Sequence, residues 1–331
     1  NYLINEFKKL NPNTFKLDLF SNLLNQACLD SNLEATKTIT ELIDKENPKY
    51  DFTEAFFNAC SSKSNDICRY FLDKKVTIDF VNNSRIFELG IVDIDVFEKI
   101  VNNVDPKLKF IFYECINTSI SNKNIKVIEY IIQNNPPSKS ELILAVESDD
   151  LEVVELILKY NSSKSFINRK SMNGTALCIA VRNKNIEIVK RLLSIPEIDP
   201  NLADVKNQNA LLIATQNFDI DIIDSILNFY GDNIKSYVDL MNDAVSFLPL
   251  LEGVTDISDC VWKIIKRFSM IKYFDINYKN ENQIPILIFA CENNKIDIVE
   301  FLLSLENINT NVYDPHTFNT PLMRCLEKKY I

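Results

Sequence analysis

An eight-residue pattern recurs along this chain and limits its fold more than any other feature. Apolar residues stand at positions 1, 3, 4, 7 and 8, usually with an acidic residue at position 2. These positions share one broad face of an α-helix, and each copy is too short to be stable alone. The clearest copies are 151–158, 186–193, 220–227 and 296–303; looser copies begin at Asn65, Ile94 and Ile125, and weaker ones near Leu33 and Ile257.

A second element stands at a fixed distance before most of these copies. Six residues upstream lies a small residue, and three residues before that lies an apolar residue, as in the pair Leu177 and Ala180. Residues three apart lie on the same side of a helix, and a small side chain lets a neighbouring helix approach closely. The spacing therefore predicts units of two antiparallel helices joined by a tight turn. We expect an all-α solenoid of about nine helix pairs in one continuous stack, with short connectors.

The turns between paired helices are rich in Asn, Asp and Lys, as in Asn183-Lys184-Asn185. Such a turn often needs one residue with positive φ, normally glycine. Because the chain has only four glycines, we expect Asn to take this place. A Ser, Thr or Asn precedes most first helices, and we expect these residues to act as N-caps. They are Ser21, Thr53, Ser140, Thr175, Asn209 and Thr320.

The composition excludes several classes of function. The net charge is −10 and is spread along the chain, so nucleic acid and anionic membranes are poor partners. There is one histidine, His316, and we interpret it as an exposed connector residue, since catalytic triads and His-based zinc sites need more. Four glycines form no phosphate-binding loop. We therefore expect no enzyme activity, no cofactor and no bound metal.

The eight cysteines show no C-x-x-C pair and mostly fall at predicted core positions. Free Cys packs as a small buried hydrophobe, so we expect free thiols and an intracellular, cytoplasmic protein. No apolar stretch is long enough to insert into a membrane, and we expect a monomer. Acidic pairs such as Asp149-Asp150 open second helices, where carboxylates favour the helix dipole. We interpret them as helix starts rather than cation sites.

From Ser140 onward the sequence resembles the ankyrin-repeat family. The family pattern runs D-x-x-G-x-T-P-L-H-x-A-A-x-x-G-H-x-x-I-V-x-x-L-L and is followed by A-D-V-N. Residues 174–180 match T-P-L-H-x-A, residues 319–325 keep T-P-L itself, and 209–214 and 285–290 are degenerate copies. The family's connector asparagine is kept at Asn168, Asn201, Asn277 and Asn311.

The match also departs from the family pattern. The His of T-P-L-H is replaced at Cys178, Leu212, Ile288 and Met323, so we expect the hydrogen-bond network between Thr and His to be lost. Connectors before Ser140 carry no family signature, and we expect hairpin-like connectors only after about residue 160. The resemblance thus indicates degenerate repeats at 1–139 and clearer repeats at 140–331. Within the clearer part, a repeat at about 229–270 is irregular, and the last repeat, from about 314, is incomplete.

The resemblance implies a non-catalytic scaffold that binds an unknown protein partner. Binding would use the concave face of the stack, which consists of first-helix faces and connector tips. The family's contact positions fall at Met172, Arg182, Asn183, Lys206, Gln208, Gln216, Asn217, Asn282, Glu292 and Asn293.

An alternative comes from the ends of the sequence, which has no initiator Met and ends inside a repeat. On that interpretation the chain continues past Ile331 and is the regulatory or substrate-docking arm of a larger protein, whose catalytic domain lies outside it. A hydrolase within the chain is a third, weaker hypothesis, which activity profiling would test.

Overall fold

The computed structural model describes residues 17–80, 85–104, 113, 115–137, 140–231, 258–271, 274–277, 279, 284–292, 294 and 296–327. Over these residues the chain is an all-α helical-repeat solenoid with very little strand, which confirms the predicted fold class. No helix in the described ranges is long and apolar enough to cross a membrane. The chain divides into two compact units, residues 1–161 and 162–331. The sequence predicts degenerate repeats at 1–139 and clearer repeats at 140–331. That boundary rests on the sequence pattern alone and stays a prediction.

The first unit consists of antiparallel helix pairs. Its helices are α1 (Leu17–Leu29), α2 (Leu33–Glu46), α3 (Thr53–Ser61), α4 (Asn65–Lys74), α5 (Ile94–Asn103), α6 (Ile116–Ser121), α7 (Ile125–Asn134), α8 (Glu141–Glu147) and α9 (Leu151–Tyr160). Each second helix turns its repeated apolar face inward: in α7, for example, Val127, Ile128, Ile131 and Ile132 are all buried.

The third repeat of this unit begins with a short 3-10 helix, Ile86–Ile91, in place of an α-helix. Gly90, within it, lies so close to α6 that an added Cβ would stand 2.6 Å from the Cys115 carbonyl oxygen. In most other repeats the small residue of the first helix is an alanine. The spacing rule, which looks for a small residue six positions before each second helix, did not identify Gly90, because Glu88 lies six residues before Ile94.

Aromatic rings fill the core between α3 and α4. Phe56 is fully buried and meets Phe57 and Phe80 edge to face, with ring centroids 5.8 Å and 5.4 Å apart. Phe71 of α4 lies 6.4 Å away on the remaining side. Ion pairs such as those from Arg69 to Asp93 and Asp95 join neighbouring second helices, but their carboxylates are exposed. Since exposed pairs contribute little, the aromatic cluster dominates the stability of these repeats.

The second unit begins with a one-turn helix, α10 (Lys164–Ile167), and a hairpin of β1 (Lys170–Ser171) and β2 (Gly174–Thr175). The strands pair antiparallel, Lys170 opposite Thr175 and Ser171 opposite Gly174. This hairpin follows residue 160, where the sequence predicts such connectors. The helices are α11 (Ala176–Arg182), α12 (Ile186–Leu193), α13 (Ala210–Gln216), α14 (Ile220–Tyr230), α15 (Ser258–Ser269), α16 (Ile286–Glu292), α17 (Ile296–Leu303) and α18 (Pro321–Glu327).

The inter-helix turns do not use Asn as expected. Among the described residues, those of these turns with positive φ, 53–57°, are Ser31, Lys63, Lys123, Asp149, Lys184, Phe218 and one Asn, Asn294. In four of these turns the Asn or Asp stands one residue later and caps the second helix, at Asn32, Asp150, Asn185 and Asp219. Asn185 accepts a hydrogen bond from the Ile188 N–H at 3.0 Å, and Asp219 from the Ile222 N–H at 3.1 Å. A short polar side chain stabilises a helix N-terminus by about 1 kcal/mol, which explains its place there.

Only some predicted first-helix caps act as caps. Thr175 and Asn209 accept bonds from the N–H groups three residues on, and the Thr320 hydroxyl accepts one from the Met323 N–H at 3.4 Å. Ser21 lies inside α1, and Ser140 makes no side-chain cap bond.

Thr53 was also expected to be a cap, but it is the first residue of α3. Its hydroxyl donates to Asp51 and accepts the Asp79 N–H at 2.8 Å. The hydroxyl therefore joins two connectors instead of capping the helix.

The last described helix, α18, leaves Leu322, Met323 and Leu326 each more than half exposed. No other described helix covers these side chains, and each exposed apolar side chain forgoes roughly 1.5–3 kcal/mol of burial. We therefore expect faster amide hydrogen exchange in 321–327 than in 177–193. Equal protection of the two segments would contradict this prediction.

Candidate protein-binding surface

The β1–β2 hairpin places Met172 at its tip, where the side chain is 83% exposed. The Ser171 hydroxyl closes the tip, because it accepts the Asn173 N–H and donates to the Gly174 carbonyl, both at 3.1 Å. Gly174 has a φ of +99°, and an added Cβ would lie 3.0 Å from the Cβ atoms of Cys178 and Asp204. Only glycine allows both this φ and this approach, so the hairpin geometry is set locally.

Cys178 stands where the family pattern has His, and it makes hydrogen bonds of its own to the helix start and to the next connector. Thr175 Oγ1 accepts the Cys178 N–H at 3.3 Å and lies 3.4 Å from Cys178 Sγ, to which its hydroxyl donates. The thiol in turn donates to the Leu202 carbonyl at 3.4 Å. A thiol is both a weak donor and a weak acceptor, so a buried Cys can link the helix start to the next connector. The bonds between Thr and His are thus absent, and weaker bonds through the Cys178 thiol take their place in this repeat.

Asp204 organises the next connector tip. Its Oδ1 accepts the N–H groups of Lys206 and Gln208 at 2.8 Å and 2.9 Å. Its Oδ2 pairs with the guanidinium of Arg182, which also donates to the Asn173 carbonyl. Arg182 thus ties two successive tips together, and the Asp204 side chain is only 3% exposed.

Opposing effects set the pKa of Asp204. Burial alone would raise it, but the hydrogen bonds from the Gln208 and Lys206 N–H groups, together with Arg182, outweigh burial and hold the pKa below its usual value. The ionised carboxylate is therefore stabilised in the folded state.

We expect Asp204→Asn to remove part of the acid dependence of stability. Because the folded pKa is lowered, the contribution of Asp204 is fully present above its unfolded pKa, about 3.9, and is lost as the pH falls through the folded value. At neutral pH the variant should lose about 1–2 kcal/mol; as the pH falls below the folded pKa of Asp204, it should approach the wild type. Urea unfolding at several pH values measures this, and parallel curves for the two proteins would contradict it.

The predicted contact residues of these two repeats lie at the tips and at the ends of the first helices. Met172, Asn183 and Lys206 are exposed. Gln208 donates from Nε2 to Gln216 Oε1 at 3.0 Å. The other two face their neighbours: Arg182 holds Asp204 as described, and Asn217 donates to the Val181 carbonyl at 3.4 Å.

The remaining predicted residues belong to the later repeats. Glu292 pairs with Arg324 at 2.7 Å and is largely buried. Asn282 and Asn293 lie outside the described residues. The sequence analysis did not identify Val205, which is 74% exposed beside Lys206. A valine is usually buried, so the sequence alone does not indicate that this one is exposed.

The connector before α18 carries an exposed aromatic pair that sequence reasoning also missed. Tyr313 and Phe318 stack with ring centroids 6.3 Å apart, and Phe318 is 73% exposed. Below them Arg324 contacts Asp314 at 3.0 Å and Glu327 at 3.1 Å, in addition to Glu292. The only signal in the sequence is two aromatics flanking the Asp-Pro-His-Thr stretch at 314–317.

Connector asparagines hold neighbouring connectors at a fixed distance. Asn168 donates from Nδ2 to the Glu197 carbonyl and accepts the Asp199 N–H, both at 2.8 Å. Asn277 makes the equivalent bonds to residues 307 and 309, at 2.9 Å and 2.7 Å. Asn201 accepts a bond from the Tyr230 hydroxyl at 3.0 Å. These bonds orient the tips.

The described residues contain no cluster of three or more His, Cys, Asp or Glu side chains that could hold a metal ion. His316 donates its backbone N–H to Asp314 Oδ1 at 2.8 Å, so this residue takes part in the connector turn.

The buried cysteines are poor nucleophiles. Burial raises the pKa values of Cys28 and Cys291 to about 12, which keeps both thiols protonated at neutral pH. Cys60 and Cys68 lie 3.8 Å apart, both buried. We expect slow alkylation of these four in the native protein and eight free thiols by titration in denaturant. Fewer than eight would contradict the prediction of free cysteines.

Comparisons with known proteins give the following result. Residues 142–237 match the family model of ankyrin repeats, in three copies. Among solved structures, the crystal structure of the ankyrin repeat domain of Bcl-3, described as a unique member of the IkappaB protein family, is similar at a TM-score of 0.46 and 17% identity. That alignment covers 63% of this chain and 92% of the other. A search of curated proteins found no match.

Proposed function

Because this chain contains ankyrin repeats, over residues 142–237, we propose that it is a non-catalytic scaffold that binds a protein partner. Binding uses the concave face of the second unit, which is formed by connector tips and the ends of first helices. Ankyrin repeats generally mediate protein–protein interaction, and the exposed tips support the same role here.

The exposed apolar tips carry this proposal. Met172 and Val205 stand on successive tips and are 83% and 74% exposed. Neither side chain gains stability from burial in this position, whereas large apolar and flexible side chains are favoured at interfaces. We assign Asn183, exposed at the end of α11, and Lys206, exposed beside Val205, to the polar rim of the same surface.

The polar bonds beneath the tips support a preorganised surface. Arg182 bridges the two tips through the Asn173 carbonyl and Asp204, and Asn168 fixes the connector that leads to the second tip. A surface that is already ordered loses little conformational entropy on binding. The same bonds mean that replacing Arg182 would alter the tips themselves, so Arg182 is a poor choice for a binding test.

Affinity capture with matched variants tests the proposal. The tip variant is Met172→Glu with Val205→Glu, and the control is Met270→Glu, which changes another methionine that is 66% exposed. Partners identified by mass spectrometry with the wild type should be retained by the control. Their affinity for the tip variant should fall by roughly tenfold or more, the loss expected for interface anchors. Equal capture by all three proteins would refute the proposed surface.

We extend the proposal to an intracellular, cytoplasmic monomer that does not bind nucleic acid. Its net charge of −10 opposes phosphate binding, and its buried free thiols suit a reducing compartment. Light scattering of the purified chain tests the monomer, and a filter-binding assay with DNA and RNA at low salt tests the absence of nucleic-acid binding.

A further inference from the structure

The sequence contains one Asn-Gly pair, Asn173-Gly174, and the fold places it at the tip of the β1–β2 hairpin. Asn173 is exposed, and Gly174 follows it with a φ of +99°. Each strand of the hairpin has only two residues. The Ser171 hydroxyl and Arg182 hold the tip in its resting form, but elements as short as these strands open locally at a small cost in free energy.

We propose that Asn173 is a site of spontaneous deamidation and isoaspartate formation. The Gly174 backbone nitrogen attacks the side-chain Cγ of Asn173, forming an N–Cγ bond, while the Cγ–Nδ2 bond breaks and ammonia leaves. The proton of the Gly174 N–H leaves with the ammonia. The product is a five-membered succinimide, which water opens at either carbonyl carbon. One opening gives aspartate, and the other gives isoaspartate, in which the main chain runs through Cβ.

The glycine makes this step accessible. A side chain on the following residue would crowd the approach of its nitrogen to Cγ, and glycine has no Cβ. The next tip offers a built-in comparison. Asn207 lies two residues before the N-cap Asn209, as Asn173 lies two residues before the N-cap Thr175. Asn207 is also exposed, but Gln208 follows it.

The reaction changes the surface that Arg182 organises. The Asn173 carbonyl accepts a hydrogen bond from Arg182, whose second contact is Asp204. Isoaspartate adds a backbone carbon at this point and converts that carbonyl into a free α-carboxylate, which lies near Arg182 and Asp204. The new carboxylate then competes with Asp204 for the guanidinium of Arg182. The effect on partner binding rests on the proposed function, whereas the reaction itself does not.

Peptide mapping of the full chain after prolonged incubation in mildly alkaline buffer tests the proposal. Mass spectrometry detects the conversion of amide to acid, and labelling by an isoaspartyl methyltransferase separates isoaspartate from aspartate. Acid should accumulate on the order of tenfold faster at Asn173 than at Asn207, because only Asn173 precedes glycine. Isoaspartate should be present at residue 173 and absent from Asn173→Gln.

A second variant creates another Asn-Gly pair on the next tip. Gln208→Gly keeps the backbone groups that bond to Asp204 and creates an Asn-Gly pair at 207–208, so residue 207 should become reactive. Two results would overturn the proposal. One is an intact Asn173 after a time in which the urea-unfolded chain has converted it. The other is an unreactive Asn207 in Gln208→Gly, since glycine would then not determine the reaction.

Discussion

Gly90→Ala should lower the free energy of unfolding by about 3 kcal/mol, the upper part of the range for overpacking a core. The new Cβ would lie 2.6 Å from the Cys115 carbonyl oxygen and 2.8 Å from the Ser119 backbone nitrogen. Both are backbone atoms of the α6 region, so no rotation of a side chain relieves the contact. The φ of Gly90 is not in the left-handed region, so the loss comes from the steric contact rather than from backbone strain. Urea unfolding followed by circular dichroism measures it.

Thr38→Ala in α2, where the side chain is half-buried and its hydroxyl bonds to the Glu34 carbonyl of the same helix, serves as the control in the same unit and should change stability by about 0.5 kcal/mol. Ser119→Ala with Gly90→Ala should recover little of the loss, since the two backbone contacts remain. A Gly90→Ala protein as stable as the wild type would show that the 3-10 helix does not need this close approach.

Phe56→Ala should lower the free energy of unfolding by about 4 kcal/mol, as for other buried phenylalanines. Its ring is fully buried and contacts rings on three sides. The cluster sits in the part of the chain that carries no family signature in its connectors. We therefore expect amide protection to fall most in α3 and α4, which hydrogen exchange with mass spectrometry resolves.

The matched control is Phe318→Ala, the same substitution at a ring that is 73% exposed. It should change stability by less than about 0.5 kcal/mol. If both variants lose the same stability, the aromatic cluster is not what stabilises these repeats. If Phe56→Ala lowers protection equally everywhere, the loss is not confined to α3 and α4.

The repeated apolar pattern predicted the second helices well. Residues 186–193 and 296–303 coincide with α12 and α17. An amphipathic helix must bury its apolar face, and the spacing of the apolar residues in the sequence shows where that face lies. The turns were less predictable. Lys184 and Phe218 adopt positive φ, which their side chains do not favour, because the two helices they join fix the turn from both ends.

The candidate surface was predictable by position but not by contact. Met172 and Lys206 were placed at exposed tips from the family pattern, and both are exposed. The pairing of Arg182 with Asp204 joins residues 22 apart in sequence, and the role of Cys178 depends on the Leu202 carbonyl. Such bonds form only when successive connectors lie side by side, so no pattern within a single repeat predicts them.

The asparagine bonds between connectors also have a mechanical consequence. Each of Asn168 and Asn277 holds the following connector by two hydrogen bonds from one side chain. A force that peels the array from one end must break both bonds of such a pair together before that connector can leave. In a linear array each repeat contacts only its neighbours. Extension under load should therefore proceed in steps of one repeat, and replacing Asn168 by Ala should lower the force of the step at residues 197–199.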